Sequence, residues 1–187
     1  MPTTITQTLL RALVLANSVL IVGCNRSETM IQPEAPAMSE LSERTHEEIT
    51  QLCAAGDDLA EGSQYSNALV KYWSAWDLLP EPKTEWNAAT WILAAIGDVN
   101  YLSGDYEAGR DNLGNAMHCP DAVGNPFIHM RLGQCQFELG NVDLAADELA
   151  RAFIPKGKQL FENEDPKYLD FVKSKLEPPA GGWPDGW

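Results

Sequence analysis

Two stretches of the chain, YLSGDYEAG at residues 101–109 and FELGNVDLA at residues 137–145, share one pattern of side chains. Both combine an aromatic residue, a bulky aliphatic residue, a glycine, a short Asp or Asn, and then a bulky residue and alanine. They lie 36 residues apart. If the match extends over a whole period of this length, it indicates an array of stacked structural units.

The match does extend over three blocks when the chain is aligned on its glycines. Gly56, Gly97 and Gly133 correspond, at spacings of 41 and 36 residues. The longer spacing fits a five-residue insertion in the proline-marked segment PEPKTEWN at residues 80–87. Downstream, the same register aligns three further sets: Ala68, Gly109 and Ala145; Tyr72, Leu113 and Leu149; and Ala75, Ala116 and Ala152.

The recurring small residues have a physical reason. Two helices approach closely only where a side chain is small, so these glycines and alanines are expected at helix crossings, with large side chains between them. Gly104 and Gly140 can end a first helix in the left-handed conformation, after which Asp105 and Asn141 can cap the next helix. Three prolines are expected to terminate the second helices: Pro80, Pro120 and Pro155.

This pattern resembles the tetratricopeptide repeat family, whose unit is a pair of antiparallel helices. The resemblance covers about residues 49–158, although Ser63 replaces a turn glycine and His129 replaces a large apolar residue. It implies an all-α fold, namely a short right-handed superhelical α-solenoid of about three helix-turn-helix units plus a C-terminal capping helix. The predicted boundaries are a domain at 45–177, repeats at 49–82, 90–123 and 126–159, a capping helix at 166–177 and a Pro/Gly/Trp tail at 178–187.

The capping helix is predicted from its own sequence. NEDPKYLDFVKSKLE at residues 163–177 has Asp165 as an N-cap and Pro166 at the first helical position. One apolar stripe follows at helical spacing: Tyr168, Leu169, Val172 and Leu176. A stack of repeats needs such a closed end.

The first residues are expected to lie outside the fold. The apolar run ALVLANSVLIVG at residues 12–23 is too short to span a bilayer and is typical of a signal peptide, predicted at 1–23. Ile21-Val22-Gly23-Cys24 resembles the lipobox of bacterial lipoproteins. The resemblance implies lipidation at Cys24, a flexible linker at 24–44, and a protein anchored in the cell envelope, with the periplasmic face of the outer membrane expected. A translation start at Met38 would instead give a cytoplasmic protein.

The charge balance bears on the partner. Acidic residues outnumber basic ones 27 to 13, for a net charge of −14. Phosphate backbones and anionic lipids repel so negative a protein, which argues against nucleic-acid binding and leaves the lipid anchor as the only expected membrane contact. A protein or peptide partner is expected, with a basic one favoured, although an acidic surface also serves solubility.

The family resemblance places the first helices of the units on an inner, concave surface. The positions that would face a partner there include aromatic, methionine and carboxylate side chains, which provide contact area and recognition of basic groups. Some of them could instead pack against neighbouring helices. The predicted partner-binding residues are Asp57, Glu61, Trp91, Asp98, Tyr101, Phe127, Met130, Gln134 and Phe137.

The sequence offers little for catalysis. It contains no Gly-rich phosphate loop, serine elbow or His-Glu metal motif, so no catalytic residue, metal or cofactor is predicted. His118, Cys119, His129 and Cys135 form the nearest approach to a metal cluster, but the adjacent pair lacks the spacing of a zinc site. With Cys24 acylated, three cysteines would remain, which permits at most one disulfide.

Three function classes follow from these observations. The first is a non-enzymatic adaptor that binds one protein or peptide on its concave face, as an accessory lipoprotein of the envelope. The second is an immunity protein that neutralises a secreted bacterial toxin, because the acidic module with the PPAGGW ending at residues 178–183 resembles short repeat proteins of that kind. An enzyme is the remote third.

Overall fold

The computed structural model describes residues 41–178 and 180–182, and all regular secondary structure in this part of the chain is helical. Seven α-helices and two short 3-10 segments follow one another without a strand among the described residues. The helices are α1 (Glu43–Glu61), α2 (Tyr65–Asp77), α3 (Asn87–Ser103), α4 (Tyr106–Ala116), α5 (Pro126–Glu138), α6 (Val142–Lys156) and α7 (Pro166–Lys175), with 3-10 turns at Lys83–Glu85 and Gly157–Phe161. The all-α prediction is confirmed.

Each helix packs against the next one along the chain. The closest pairs are α1 with α2, α3 with α4, and α5 with α6, and the members of each pair are joined by loops at 62–64, 104–105 and 139–141. Weaker packing joins α2 to α3 and α4 to α5. The described residues therefore form three helix pairs in sequence order, followed by α7.

The aligned glycines lie where the sequence predicts helix crossings. A Cβ atom on Gly97 would come within 2.4 Å of Leu113 Cγ, and one on Gly133 within 2.6 Å of Leu149 Cγ. In the first pair, a Cβ on Gly56 would lie 2.5 Å from the Tyr72 ring. The same contact thus recurs three times between a glycine of the first helix and the aligned bulky residue of the second, and the predicted close approach is confirmed.

The turn inside each pair uses a left-handed residue. Gly104 and Gly140 have φ values of 84° and 77°, as predicted. Ser63 occupies the equivalent turn of the first pair and also has a positive φ, 56°. Its neighbour Gln64 donates its backbone N–H to Leu59 O at 2.8 Å, as Asp105 does to Asn100 O at 2.9 Å. The first turn therefore keeps the conformation of the other two despite the missing glycine.

Two local predictions were wrong. Asp105 caps α4 by accepting from Ala108 N at 3.1 Å, but Asn141 does not cap α6, because its Nδ2 donates to Gln136 Oε1 at 2.8 Å instead. Pro155 lies inside the last turn of α6, which continues to Lys156. A proline this close to a C-terminus removes one hydrogen bond and leaves only one further residue in the helix.

The central helix α3 is buried almost all round. Every residue from Ala88 to Asn100 is buried except Trp91, which is half-buried. Its apolar side chains belong to a core shared by the first five helices. A second apolar cluster lies between α5, α6 and residues 157–176, which form the C-terminal segment. The molecule therefore has two adjoining cores, and the second depends on residues beyond α6.

The predicted capping helix is present as α7 and ends two residues before the predicted 177. Asp165 caps it by accepting from Lys167 N at 3.0 Å, and Pro166 is the first helical residue. Tyr168 and Val172 are buried in the second core, with Leu169 and Leu176 packed at its edge. At the other end, α1 begins at Glu43, two residues earlier than the predicted domain, because Ser42 Oγ accepts from Thr45 N at 3.1 Å.

Several predictions fall on other parts of the chain. The signal peptide at 1–23, Cys24, most of the linker at 24–44, and residues 179 and 183–187 of the tail lie outside the described residues. Among the helices that the structure does describe, none combines the length and the apolar character needed to cross a membrane.

Substitution of Gly97 tests the close contact between α3 and α4. Gly97→Ala should destabilise the protein by about 1–3 kcal/mol, because the new methyl group would overlap Leu113. Urea unfolding followed by helical circular dichroism measures the change. Adding Leu113→Ala should make the effect non-additive, since the two sites share one contact.

Gly114 on α4 provides a matched control. A Cβ atom there would meet nothing within 4 Å, so Gly114→Ala should be neutral or stabilising by up to about 1 kcal/mol through its higher helix propensity. Equal effects of Gly97→Ala and Gly114→Ala would contradict the importance of the close contact.

Candidate functional site

A buried arginine on α5 is at the centre of the polar contacts among α3, α5 and the residues before α7. Arg131 has 1% of its side chain exposed, and its Nε donates to Asp98 Oδ1 on α3. Its Nη1 donates to Gln134 Oε1 at 2.7 Å and to Glu164 Oε2 at 2.6 Å. Because Glu164 comes from the connection before α7, one guanidinium joins α3, α5 and the C-terminal segment.

Aromatic rings complete the surroundings of this guanidinium. Its Cζ lies 4.5 Å from the centroid of Tyr101 and 5.6 Å from that of Phe127, which are distances for cation–π contact. Burial alone would lower the pKa of Arg131, but the carboxylates of Asp98 and Glu164 outweigh it and hold the pKa above its usual range. The arginine is therefore charged and compensated within the protein.

A second polar network lies beside the first. Tyr101 donates its hydroxyl to Tyr168 Oη at 2.9 Å, and Tyr168 donates to Glu138 Oε1 at 2.6 Å. Lys167 Nζ lies 2.7 Å from the same Glu138 oxygen. Burial raises the pKa of Tyr168, and its hydrogen bond to Glu138 adds to the shift. These contacts connect α3 and α5 to α7.

Six of the nine predicted partner-binding residues lie under the C-terminal segment or within the core. Asp98, Phe127, Met130 and Gln134 are buried, with at most 7% of each residue exposed. Tyr101 and Phe137 are half-buried, and Phe137 packs against Tyr168 at 5.5 Å between ring centroids. The expectation that these six form a solvent-exposed surface therefore does not describe this structure, because residues 157–176 cover the face that they share.

The other three predicted residues remain accessible in part. Glu61 is exposed near the end of α1, while Asp57 and Trp91 are half-buried. Asp57 accepts a hydrogen bond from the Tyr72 hydroxyl at 2.7 Å, which fixes its carboxylate between α1 and α2. The predicted surface is thus divided into an accessible part on α1 and the start of α3, and a covered part on α3 and α5.

The sequence analysis did not identify the ion pair between Arg131 and Glu164 at this site. Arg131 is the single Lys or Arg in the helix PFIHMRLGQCQFE, and a charged side chain within a largely apolar stretch signals a buried pair. Glu164, in contrast, stands among other acidic residues in ENED and carries no such signal. Its role follows only from the fold, which brings it to a residue 33 positions away.

The residues considered for metal binding have other roles. His129 lies with Nδ1 2.6 Å from Glu148 Oε2 and Nε2 2.7 Å from Val123 O, which explains a polar residue at an otherwise apolar position. No group of three or more His, Cys, Asp or Glu side chains suited to a metal occurs in the part of the chain that the structure describes.

The three cysteines in the described residues, Cys53, Cys119 and Cys135, are buried free thiols. Burial raises the pKa of each thiol, to about 12 for Cys135. Thiols held in the neutral form are poor nucleophiles, so none of the three has the character of a catalytic cysteine.

A polar hollow of about 560 Å³ lies between α4 and α5. It is wide open, and its arginine, Arg110, is already paired with Asp111 at 2.8 Å. Gly114 lines this hollow. In the alignment of the repeats, the position equivalent to Gly114 in the first block is Trp73, so a large side chain there is replaced by a glycine. The hollow therefore exists because Gly114 has no side chain, and it is not formed by polar groups that converge on a ligand site.

Comparison with known proteins adds no family to this picture. No protein-family model matches the chain, and no curated protein matches it significantly.

The pH dependence of stability tests the network around α7. Burial alone would raise the pKa of Glu138, but hydrogen bonds from Lys167 and Tyr168 outweigh it and lower the pKa. A lowered folded-state pKa stabilises the protein above the unfolded value, about 4.3, and this contribution disappears as the pH falls through the folded-state value. Urea unfolding between about pH 7 and pH 3 should show a steeper acid loss for the wild type than for Glu138→Gln.

Lys167→Met provides an independent comparison, because it removes a donor and leaves the carboxylate. It should flatten the acid loss in the same direction as Glu138→Gln. Identical acid profiles for the wild type and both variants would show that this network does not stabilise the fold.

Proposed function

We propose that this protein is a non-enzymatic protein–protein interaction module of the tetratricopeptide type, in which three helix pairs stack as a short right-handed solenoid closed by α7. The observation that supports it most directly is the repeated glycine contact, Gly56 to Tyr72, Gly97 to Leu113 and Gly133 to Leu149. Three equivalent crossings in sequence order are the expected basis of a repeat stack, since each unit buries its apolar face on its neighbour.

The proposed binding surface is the accessible part of the predicted concave face. Glu61 is exposed, and Asp57 and Trp91 are half-buried, so a partner can reach two carboxylates and an aromatic ring. Most of the net charge of −14 also lies in residues 41–125, which contain the first two helix pairs. Charge complementarity therefore favours a segment that carries Lys or Arg side chains.

The covered part of the face has a different role in this proposal. Asp98 is neutralised by Arg131 within the protein and does not recognise a basic partner directly. The aromatic residues there pack on α7. The partner of the accessible part is accordingly a short basic segment rather than one that runs along all three helix pairs.

A charge reversal at Glu61 tests this surface. Affinity-tagged protein is crosslinked in its native cells, and the captured protein is identified and then measured against purified variants. Glu61→Lys should weaken its binding by about tenfold or more, because like charges then face each other. The far-UV circular dichroism spectrum and melting curve should be retained, since Glu61 is exposed.

Glu107→Lys is the matched control, because it makes the same change at an exposed position on α4. It should leave binding within about twofold of the wild type. If both variants bind equally well, the partner does not use the accessible surface. If the captured protein is a toxin that is inactive in a one-to-one complex, the immunity role replaces the adaptor role.

We further propose that the protein is lipid-anchored through Cys24 and faces the periplasm. Support comes from the sequence resemblance at Ile21-Val22-Gly23-Cys24, followed by a stretch that contains only one basic residue before Arg44, namely Arg26. Cys24→Ser should abolish labelling by radioactive palmitate and release the protein from the membrane fraction. Cys53→Ser, at a buried thiol, should retain both. Unchanged labelling of Cys24→Ser would contradict the anchor.

A further inference from the structure

The covered part of the concave face holds a carboxylate in a well-defined site. Glu164 Oε2 accepts from Arg131 Nη1 at 2.6 Å and from Gln134 Nε2 at 2.9 Å. The guanidinium is itself fixed by Asp98 on one side and by the Tyr101 ring on its face. A charged donor, an amide donor and a ring thus form a rigid site for one carboxylate.

Residues 157–176, which include Glu164, also contribute apolar side chains to this contact. Phe161, Tyr168 and Val172 are buried, and they pack in one cluster with Phe127 and Met130 of α5. Tyr168 adds a hydrogen bond to Tyr101, and Phe171 packs on Phe137 at 5.0 Å between ring centroids. A glutamate and a tyrosine four residues later therefore occupy the groove together.

Closing the stack does not by itself require the ionic part of this contact. A buried ion pair contributes little net stability compared with a well-packed apolar contact, because desolvation offsets the Coulomb attraction. What such a pair does provide is selectivity, since an apolar segment in this groove would not replace the acceptor that Glu164 provides to Arg131 Nη1 and Gln134 Nε2.

Residues 157–176, the closing segment, are also placed so that they can dissociate while α1 to α6 remain folded. This segment is the last element of the described stack and begins at Gly157, whose φ of 66° and ψ of −161° lie in a region open to glycine. Terminal elements of a stack open at lower free energy than the interior. Release of residues 158–176 would expose Tyr101, Phe137 and the carboxylate site.

We infer that the covered groove is a second binding site, selective for a segment in which a glutamate just before the start of a helix is followed four residues later by an aromatic residue on that helix, and that residues 157–176 occupy it in cis. The inference rests on the proposed interaction function and adds a second, acidic ligand class. A partner with this chemistry binds in competition with the closing segment. Its apparent affinity is the intrinsic affinity reduced by the fraction of molecules that are open.

A peptide with the sequence of residues 157–178, labelled with a fluorophore, is a direct probe because it carries the observed contacts. It should bind the full-length wild type weakly, since the groove is occupied. Glu164→Gln in the full-length chain removes the charge that closes the groove, and Glu164→Lys places a like charge against Arg131. Both should bind the peptide about tenfold or more tightly than the wild type by fluorescence anisotropy, with the larger gain for Glu164→Lys.

Two controls isolate the carboxylate site. Glu162→Lys makes the same charge change at an exposed neighbour and should bind the peptide as the wild type does. A peptide with Gln at the position of Glu164 should lose about tenfold in affinity for the opened variants. In the opened variants, Glu164→Gln and Glu164→Lys, the backbone amides of residues 157–176 should exchange hydrogen faster than in the wild type, while those of α3 stay protected.

The inference is overturned if the opened variants, with α1 to α6 still folded, bind the peptide no better than the wild type, or if the Glu and Gln peptides bind equally. It is also overturned if both Glu164 variants lose the helical signal of the whole chain, because the segment is then an integral cap. Glu61→Lys should leave peptide binding unchanged. A failure of the basic-partner surface is therefore measured separately from a failure of this groove.

Discussion

The fold depends on a single kind of contact, in which a bulky side chain of one helix lies directly against the backbone of its partner. Gly56, Gly97 and Gly133 permit this contact at the three crossings, and any side chain there would overlap Tyr72, Leu113 or Leu149. Close approach of the helices lets small residues on both sides become fully buried. The close packing within the three helix pairs follows from these distances.

Close stacking also determines where charges can exist in the interior. With α3 covered on nearly every side, Asp98 is buried, and it is tolerated there because Arg131 from α5 compensates it. Arg131 in turn requires the second carboxylate and the amide of Gln134 to satisfy its donors. The polar network therefore compensates charges that close helix packing has buried.

The accessible and covered parts of the predicted surface differ in chemistry. The accessible part on α1 includes the carboxylates of Asp57 and Glu61, which favour basic groups. In the covered part, Arg131 and Gln134 donate to an acidic group, and Glu164 occupies that position. In the proposed function, one protein would distinguish two ligands by charge, and residues 157–176 would control access to the covered part.

Several local features of this protein were determined by the sequence alone. The repeat of the glycines predicted the helix crossings, and Asp165-Pro166 predicted the start of α7. Gly104 and Gly140 predicted the left-handed turns inside two helix pairs. Each of these features depends on residues a few positions apart or on a regular spacing. Only the tertiary structure decided that six predicted surface residues are covered. That outcome depends on Glu164 and Tyr168 meeting Arg131 and Tyr101 across 33 and 67 positions, and no periodic pattern encodes a contact between single residues so far apart.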